Sequence, residues 1–118
     1  NYFYPLRIRP GGRTVALSEY GGIAWPMPGH EPPGKTYGYG TAKDKADLTK
    51  RYKMLQWKTI LPQLGRGLSA LVYTQLTDVE DEVNGLFTYD RAALKPEAAA
   101  GRSCNAALAA EFAKATAK

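Results

Sequence analysis

Leu68-Ser69-Ala70-Leu71-Val72-Tyr73-Thr74-Gln75-Leu76 is the stretch whose reading decides the fold. It is short, largely apolar and lacks a strict polar alternation. Such a run suits a strand buried on both faces, as in a parallel sheet. Upstream, Leu48, Tyr52 and Leu55, then Trp57, Ile60 and Leu64, recur at spacings of three and four. That periodicity predicts a helix near 44–64, with Gly65 as its C-cap. Thr41-Ala42-Lys43-Asp44 has the spacing of a capping box, and Asp44 and Asp47 suit a positive helix N-terminus. Pro62 lacks an N–H and should kink or loosen the last turn. Further back, Thr14-Val15-Ala16-Leu17-Ser18-Glu19-Tyr20 is a second short apolar run, bounded by glycine pairs. Strand, helix, strand is one βαβ unit with a right-handed crossover. Residues 14–20 and 68–76 are therefore expected to be adjacent and parallel.

The flanking segments read differently. Residues 1–13 form an irregular lead-in with Pro5, Pro10 and Gly11-Gly12. Residues 21–43 are a long loop, punctuated by Gly21, Gly22, Gly29, Gly34, Gly38 and Gly40 and by Pro26, Pro28, Pro32 and Pro33. Trp25, Tyr37 and Tyr39 argue that this loop is ordered, and long loops are often functional. After the second strand comes the acidic run Asp78-Val79-Glu80-Asp81-Glu82. Asn84-Gly85 then signals a turn, with Leu86–Tyr89 expected as a short strand. Within the C-terminal stretch 96–118, residues 97–117 read as a last helix interrupted at Gly101.

A chain of 118 residues amounts to one domain, and it is too short for a complete (β/α)8 barrel, which needs about 200. Its 44% hydrophobic and 23% charged content is that of a globular chain rather than a disordered one. No apolar run approaches the roughly 18 residues of a membrane span, and no charged-then-apolar leader is present. Neither a membrane partner nor a signal segment is expected. With one cysteine, Cys104, and one histidine, His30, neither an intramolecular disulfide nor a histidine-pair metal site can form. A lone cysteine is compatible with the cytoplasm and does not require it. The net charge is +5, and residues 1–58 hold ten of the sixteen Lys and Arg. These charges are spread out, so a solvated helix face is the expectation rather than a nucleic-acid surface.

Parallel strands place their sites at the carboxyl ends. Both loops leaving those ends are unusual, one glycine-rich and aromatic from Glu19, the other acidic from Asp78. A carboxylate beside aromatic loops suits sugar chemistry, where carboxylates act and rings stack on pyranose faces. Tyr37-Gly38-Tyr39-Gly40 fits a sugar-stacking edge or plain loop packing. The acidic run lacks EF-hand spacing and reads as a solvated or salt-bridged loop rather than a calcium site. His30 reads as solvent-exposed, and Cys104 as a packing residue.

Two segments resemble a known family. Ser18-Glu19-Tyr20-Gly21-Gly22 resembles the end of the seventh barrel strand in family-two glycoside hydrolases, the family of many β-galactosidases, β-glucuronidases and β-mannosidases. The stretch from Tyr73 through Leu86, closing with Tyr89-Asp90-Arg91, is similar to the eighth strand and the segment after it. The likeness spans about residues 14–95. It implies an α/β chain equivalent to the C-terminal βαβα portion of a TIM (β/α)8 barrel, an incomplete barrel. It further implies that Glu19 is the nucleophile of a retaining mechanism and that Tyr73 lines the sugar site. Trp25, Tyr37 and Tyr39 join Tyr73 as candidate substrate-binding residues. A non-proline cis peptide is implied between Tyr73 and Thr74.

The family's acid/base is a Glu in an Asn-Glu dipeptide on the fourth strand, and this chain has no such dipeptide: its asparagines precede Tyr2, Gly85 and Ala106. The chain alone is therefore expected to be an inactive piece of a glycosidase, without cofactor or metal. Its expected partners are a carbohydrate substrate in the intact parent and further copies of itself, met through exposed strand edges. The rival reading is a non-catalytic carbohydrate-binding or protein-interaction module.

Overall fold

The computed structural model describes residues 6–9 and 11–116. Its element order is β1 (Val15–Gly21), α1 (Lys45–Met54), a π-helical segment (Leu55–Ile60), α2 (Leu61–Leu64), β2 (Leu68–Thr74) and α3 (Ala98–Thr116). β1 and β2 form a two-stranded parallel sheet, paired Val15 to Leu68, Leu17 to Leu71 and Tyr20 to Tyr73. The expected strand, helix and strand are therefore present, with the strands adjacent and parallel. The chain is a small α/β domain.

The strands are covered on one face rather than both. Leu17, Tyr20, Leu68 and Leu71 pack with Ile60, Leu64 and Leu108 into the main core, while Ala16, Ser18, Ala70 and Val72 are exposed. The helices reach only one side of the pair, so the apolar sequence of the strands exceeds what is buried. Parts of the lead-in also join the core, through Leu6 and Ile8. Residues 1–5 and 10 lie outside the described residues.

The helix begins one residue beyond its cap, but the cap is Asp44 rather than Thr41. Asp44 Oδ1 accepts from Asp47 N–H at 2.7 Å, and Asp47 Oδ2 accepts from Lys43 N–H at 3.1 Å. The cap thus sits three residues later than the expected one, with Asp47 reaching back to the residue before it rather than to the cap itself. The π segment immediately precedes Pro62, which stands in the first turn of α2. A proline cannot donate into an unbroken α-helical ladder, and the wider π turn accommodates that loss. Within this stretch Trp57 is 40% exposed while Ile60 and Leu64 stay buried.

α3 runs through Gly101 without a break, and residue 117 of the expected helix lies outside the described residues. Its start is tied to α1, where Glu97 N–H donates to Thr49 Oγ1 at 3.0 Å and Lys45 pairs with Glu97 at 3.3 Å. Cys104 is buried, and that burial pushes its thiol up, as befits a packing residue. No helix of the described residues is long and apolar enough to cross a membrane.

The region after β2 departs most from expectation. Leu86–Tyr89 is not a strand; Phe87 makes only single bridges, to Thr77 and to Leu94. Gly85 packs so closely on the chain that a Cβ there would overlap the Thr77–Asp78 backbone. The fold here is organised by a buried ion pair instead. Lys95 Nζ donates to Asp78 Oδ1 at 2.7 Å, to Val83 O at 2.9 Å and to Trp25 O at 3.0 Å. The Lys95 side chain is 0% exposed and that of Asp78 2%. Burial pushes the ammonium below its usual pKa, and Asp78 pulls it back.

Removing one partner of a buried pair leaves the other charge uncompensated, at a cost of about 3–5 kcal/mol. Lys95→Met should therefore destabilise the protein by that amount in urea unfolding. The double change Asp78→Asn with Lys95→Met should recover part of the loss. A destabilisation below about 1 kcal/mol, the level of an exposed pair, would contradict this role.

Candidate functional site at the carboxyl rim of the sheet

Because β1 and β2 are parallel, their carboxyl ends open on the same rim. The pairing register slips between Leu17 and Tyr20. That irregularity leaves Ser18 and Glu19 both exposed and turns Tyr20 inward. Glu19 is thus presented, exposed, near the carboxyl end of β1. Gly21 follows with φ of 109°, and a Cβ there would stand 2.5 Å from Tyr73 Cε2 and 2.9 Å from Thr74 O. Only glycine both adopts this backbone and lets the Tyr73 ring lie across it. Gly22 N–H continues the pairing to Thr74 O at 2.8 Å.

Tyr73 reaches the rim as part of a packed trio. Its ring meets Tyr20 edge-on, with centroids at 5.4 Å, and Tyr52 at 5.5 Å. Tyr20 Oη donates to Gln56 Oε1 at 3.2 Å. Burial pushes all three phenols up, that of Tyr52 to about 12 and that of Tyr73 further. The non-proline cis peptide lies between Thr74 and Gln75, one bond later than expected.

Two loops close over the rim, stitched by backbone bonds. Trp25 N–H donates to Val83 O at 2.8 Å, Tyr37 N–H to Asp81 O at 2.6 Å, Val83 N–H to Tyr37 O at 2.9 Å and Tyr39 N–H to Gly22 O at 2.9 Å. Trp25 is half-buried within this seam, with both its backbone groups engaged. The Tyr37 and Tyr39 rings meet edge-on at 5.5 Å, and Tyr37 is 49% exposed. Burial raises the Tyr39 phenol, and Tyr37 and the charges of Glu82 and Glu19 raise it further. Tyr39 therefore stands within electrostatic reach of both carboxylates.

The expected residues are distributed unevenly over this rim. Glu19, Tyr37 and Tyr39 come together, Tyr73 supports them from the core, and Trp25 belongs to the seam. Asp78, expected beside Glu19, is committed to Lys95 instead. His30 is half-buried rather than free, its Nδ1 lying 2.7 Å from Asp90 Oδ2. Thr88 O–H, Ala92 N–H and His30 hold the Asp90 carboxyl well below its usual range. Gln75, Glu82 and Asn84 carry no individual site signal in the sequence, yet they hydrogen-bond to one another beside Tyr37, which bridges Glu82. Among the described residues no three His, Cys, Asp or Glu side chains gather to hold a metal ion. Compared with protein-family models and with curated proteins, the chain matches none.

The tyrosine trio gives the rim a pH signature. Unfolded tyrosines ionise near pH 10, whereas Tyr20, Tyr52 and Tyr73 keep their protons to higher pH when folded. Above pH 10 the unfolded chain binds fewer protons, so stability falls as pH rises. Lys95 acts in the opposite sense below its unfolded value of 10.5, as one group against three. Unfolding free energy measured in urea should therefore drop from pH 10 to 12 more steeply than the ~1.4 kcal/mol per pH unit of a single group. Tyr73→Phe should flatten that slope.

Proposed function

We propose that this chain is the nucleophile-bearing part of a retaining glycoside hydrolase, equivalent to the C-terminal βαβα portion of a family-two-like (β/α)8 barrel. The observation that carries the reading is the exposed Glu19 near the carboxyl end of a parallel strand, from which the aromatic loop seam begins. The resemblance of residues 14–95 to the seventh and eighth strands of that family supports it. So does the open face of the sheet. Parallel strands are almost always covered on both faces, and here Ala16, Ser18, Ala70 and Val72 lie bare on one. In a closed barrel that face meets the interior side chains of the other strands.

In this reading Glu19 attacks the anomeric carbon, and the glycosidic bond breaks. The leaving oxygen takes a proton from an acid supplied by another strand. Water then attacks the glycosyl ester, releasing the sugar and regenerating the carboxylate. Tyr37 and Tyr39 present ring faces and edges to the pyranose, and the Tyr73 trio holds the rim that carries Glu19. No metal or cofactor is needed for these steps.

In the intact protein, Glu19→Gln should lower turnover of aryl glycosides by several orders of magnitude, because an amide cannot form the ester. With Glu19→Gly, added azide should restore aryl release and yield a glycosyl azide of inverted configuration. A Glu19→Gln enzyme with wild-type turnover would remove Glu19 from the mechanism.

The isolated chain has no Asn-Glu dipeptide, and among the described residues its sheet has two strands, with Val72 57% exposed. The edges of such a sheet invite pairing with another copy. It should be inactive, and light scattering over a dilution series should report dimers or larger species. A monomer at every concentration would favour the binding-module reading.

A further inference from the structure

The hydrolase reading leaves one carboxylate at the rim without a role, and a role for it rests on that reading. Glu82 is half-buried. Gln75 Nε2 donates to its Oε2 at 3.2 Å, and Asn84 Nδ2 donates to the same oxygen at 3.0 Å. Gln75 Nε2 also donates to Asn84 Oδ1 at 2.7 Å, which fixes the two amides relative to each other. Asn84 is 1% exposed, so the clamp is anchored in the interior rather than on the surface.

Amide donors that converge on a carboxylate fix its direction. A carboxylate offers about four acceptor positions, and the two amides take half of them. Glu82 is thereby a well-aimed acceptor, suited to bind hydroxyl groups. No Lys or Arg among the described residues forms an ion pair with it; the inward-facing cation of this region, Lys95, belongs to Asp78.

The position of Glu82 is set by the seam. Tyr37 bridges Glu82 in parallel fashion, which sets the two side by side, with the Tyr37 ring edge-on to Tyr39. Tyr39 N–H holds Gly22 O, three residues beyond Glu19. Glu82, Tyr37 and Tyr39 are thus linked in sequence along the seam, and the seam is tied by Gly22 to the strand end that carries Glu19. The charges of both carboxylates bear on the Tyr39 phenol.

We propose that Glu82 is the specificity-determining carboxylate of this site. It accepts hydrogen bonds from hydroxyls of the sugar resting on Tyr37 and Tyr39, and with Glu19 it repels a sugar that carries its own carboxylate. The substrate class is then a neutral pyranoside and not a uronide. Charge-assisted hydroxyl-to-carboxylate bonds are among the stronger neutral-ligand contacts. Like-charge juxtaposition supplies the rejection that attraction alone does not.

The test uses the intact protein at neutral pH with 4-nitrophenyl β-glucoside, β-galactoside, β-mannoside and β-glucuronide. The best neutral glycoside should exceed the glucuronide in kcat/KM by about 100-fold or more. Glu82→Gln should lose about 10–100-fold on the neutral glycoside and much less on the glucuronide, narrowing the ratio at least tenfold. Gln75→Ala, which removes one clamp donor, should narrow it in the same direction by less, and it serves if Glu82→Gln fails to fold. A merely structural Glu82 would lower both substrates together and leave the ratio unchanged. That result, or a wild-type enzyme that cleaves the glucuronide as fast as the neutral glycosides, overturns the proposal. An unchanged ratio in Glu82→Gln beside an inactive Glu19→Gln sinks this inference alone. An active Glu19→Gln sinks the hydrolase reading and this inference with it.

Discussion

Lys95 carries three N–H donors and, at the junction of three loop segments, uses all of them: on Asp78, on the Val83 carbonyl and on the Trp25 carbonyl. Trp25 belongs to the loop after β1, Asp78 and Val83 to the loop after β2, and Lys95 itself to the approach to α3. One ammonium group therefore ties together segments with almost no regular secondary structure of their own. Asp78 Oδ1 also accepts Gly85 N–H at 2.8 Å, which draws the chain back over the strand end. A buried charge is expensive unless fully paired. Here every donor has an acceptor, and the loop carbonyls gain partners that water would otherwise supply.

That arrangement explains how a short acidic run serves two purposes. Asp78 is buried and Glu82 half-buried, while Glu80 and Asp81 are exposed. Asp78 meets a cation and becomes structural. Glu82 meets the neutral amides of Gln75 and Asn84 and stands half-buried in the seam. The separation of four residues, together with the turn at Val79–Glu82, sends the two carboxylates to different neighbours.

The βαβ frame was legible in the sequence because its determinants are local and periodic. Leu48, Tyr52, Ile60 and Leu64 recur at helical spacing, and the two apolar runs stand between glycines. Both strands fall within two residues of their expected bounds. The cap lies at Asp44 rather than Thr41 because hydrogen-bond geometry selects among acceptable cap residues. The strand expected at Leu86–Tyr89 does not form because Gly85 and Asn84 are drawn into the interior rather than left at an exposed hairpin tip. Nothing local marks Lys95 as buried, since its partners lie 17 and 70 residues away. At the candidate site, the exposed place of Glu19 follows from its position between an apolar run and a glycine pair, and that of Tyr37 from its glycine-spaced loop. Gln75, Glu82 and Asn84 were not legible, because the clamp exists only once the loop has folded back beside Tyr37.

Formation of a covalent bond between Glu19 and the sugar is the step on which the hydrolase reading stands or falls. Incubating the intact protein with 2-deoxy-2-fluoroglycosyl fluorides, then mapping peptides by mass spectrometry, tests it most directly. The fluorine slows hydrolysis of the ester, so one fluorosugar should accumulate on the peptide that carries Glu19, with activity lost in proportion. Stoichiometric labelling of a different carboxylate, or hydrolysis of the probes with Glu19 unmodified throughout, would contradict it.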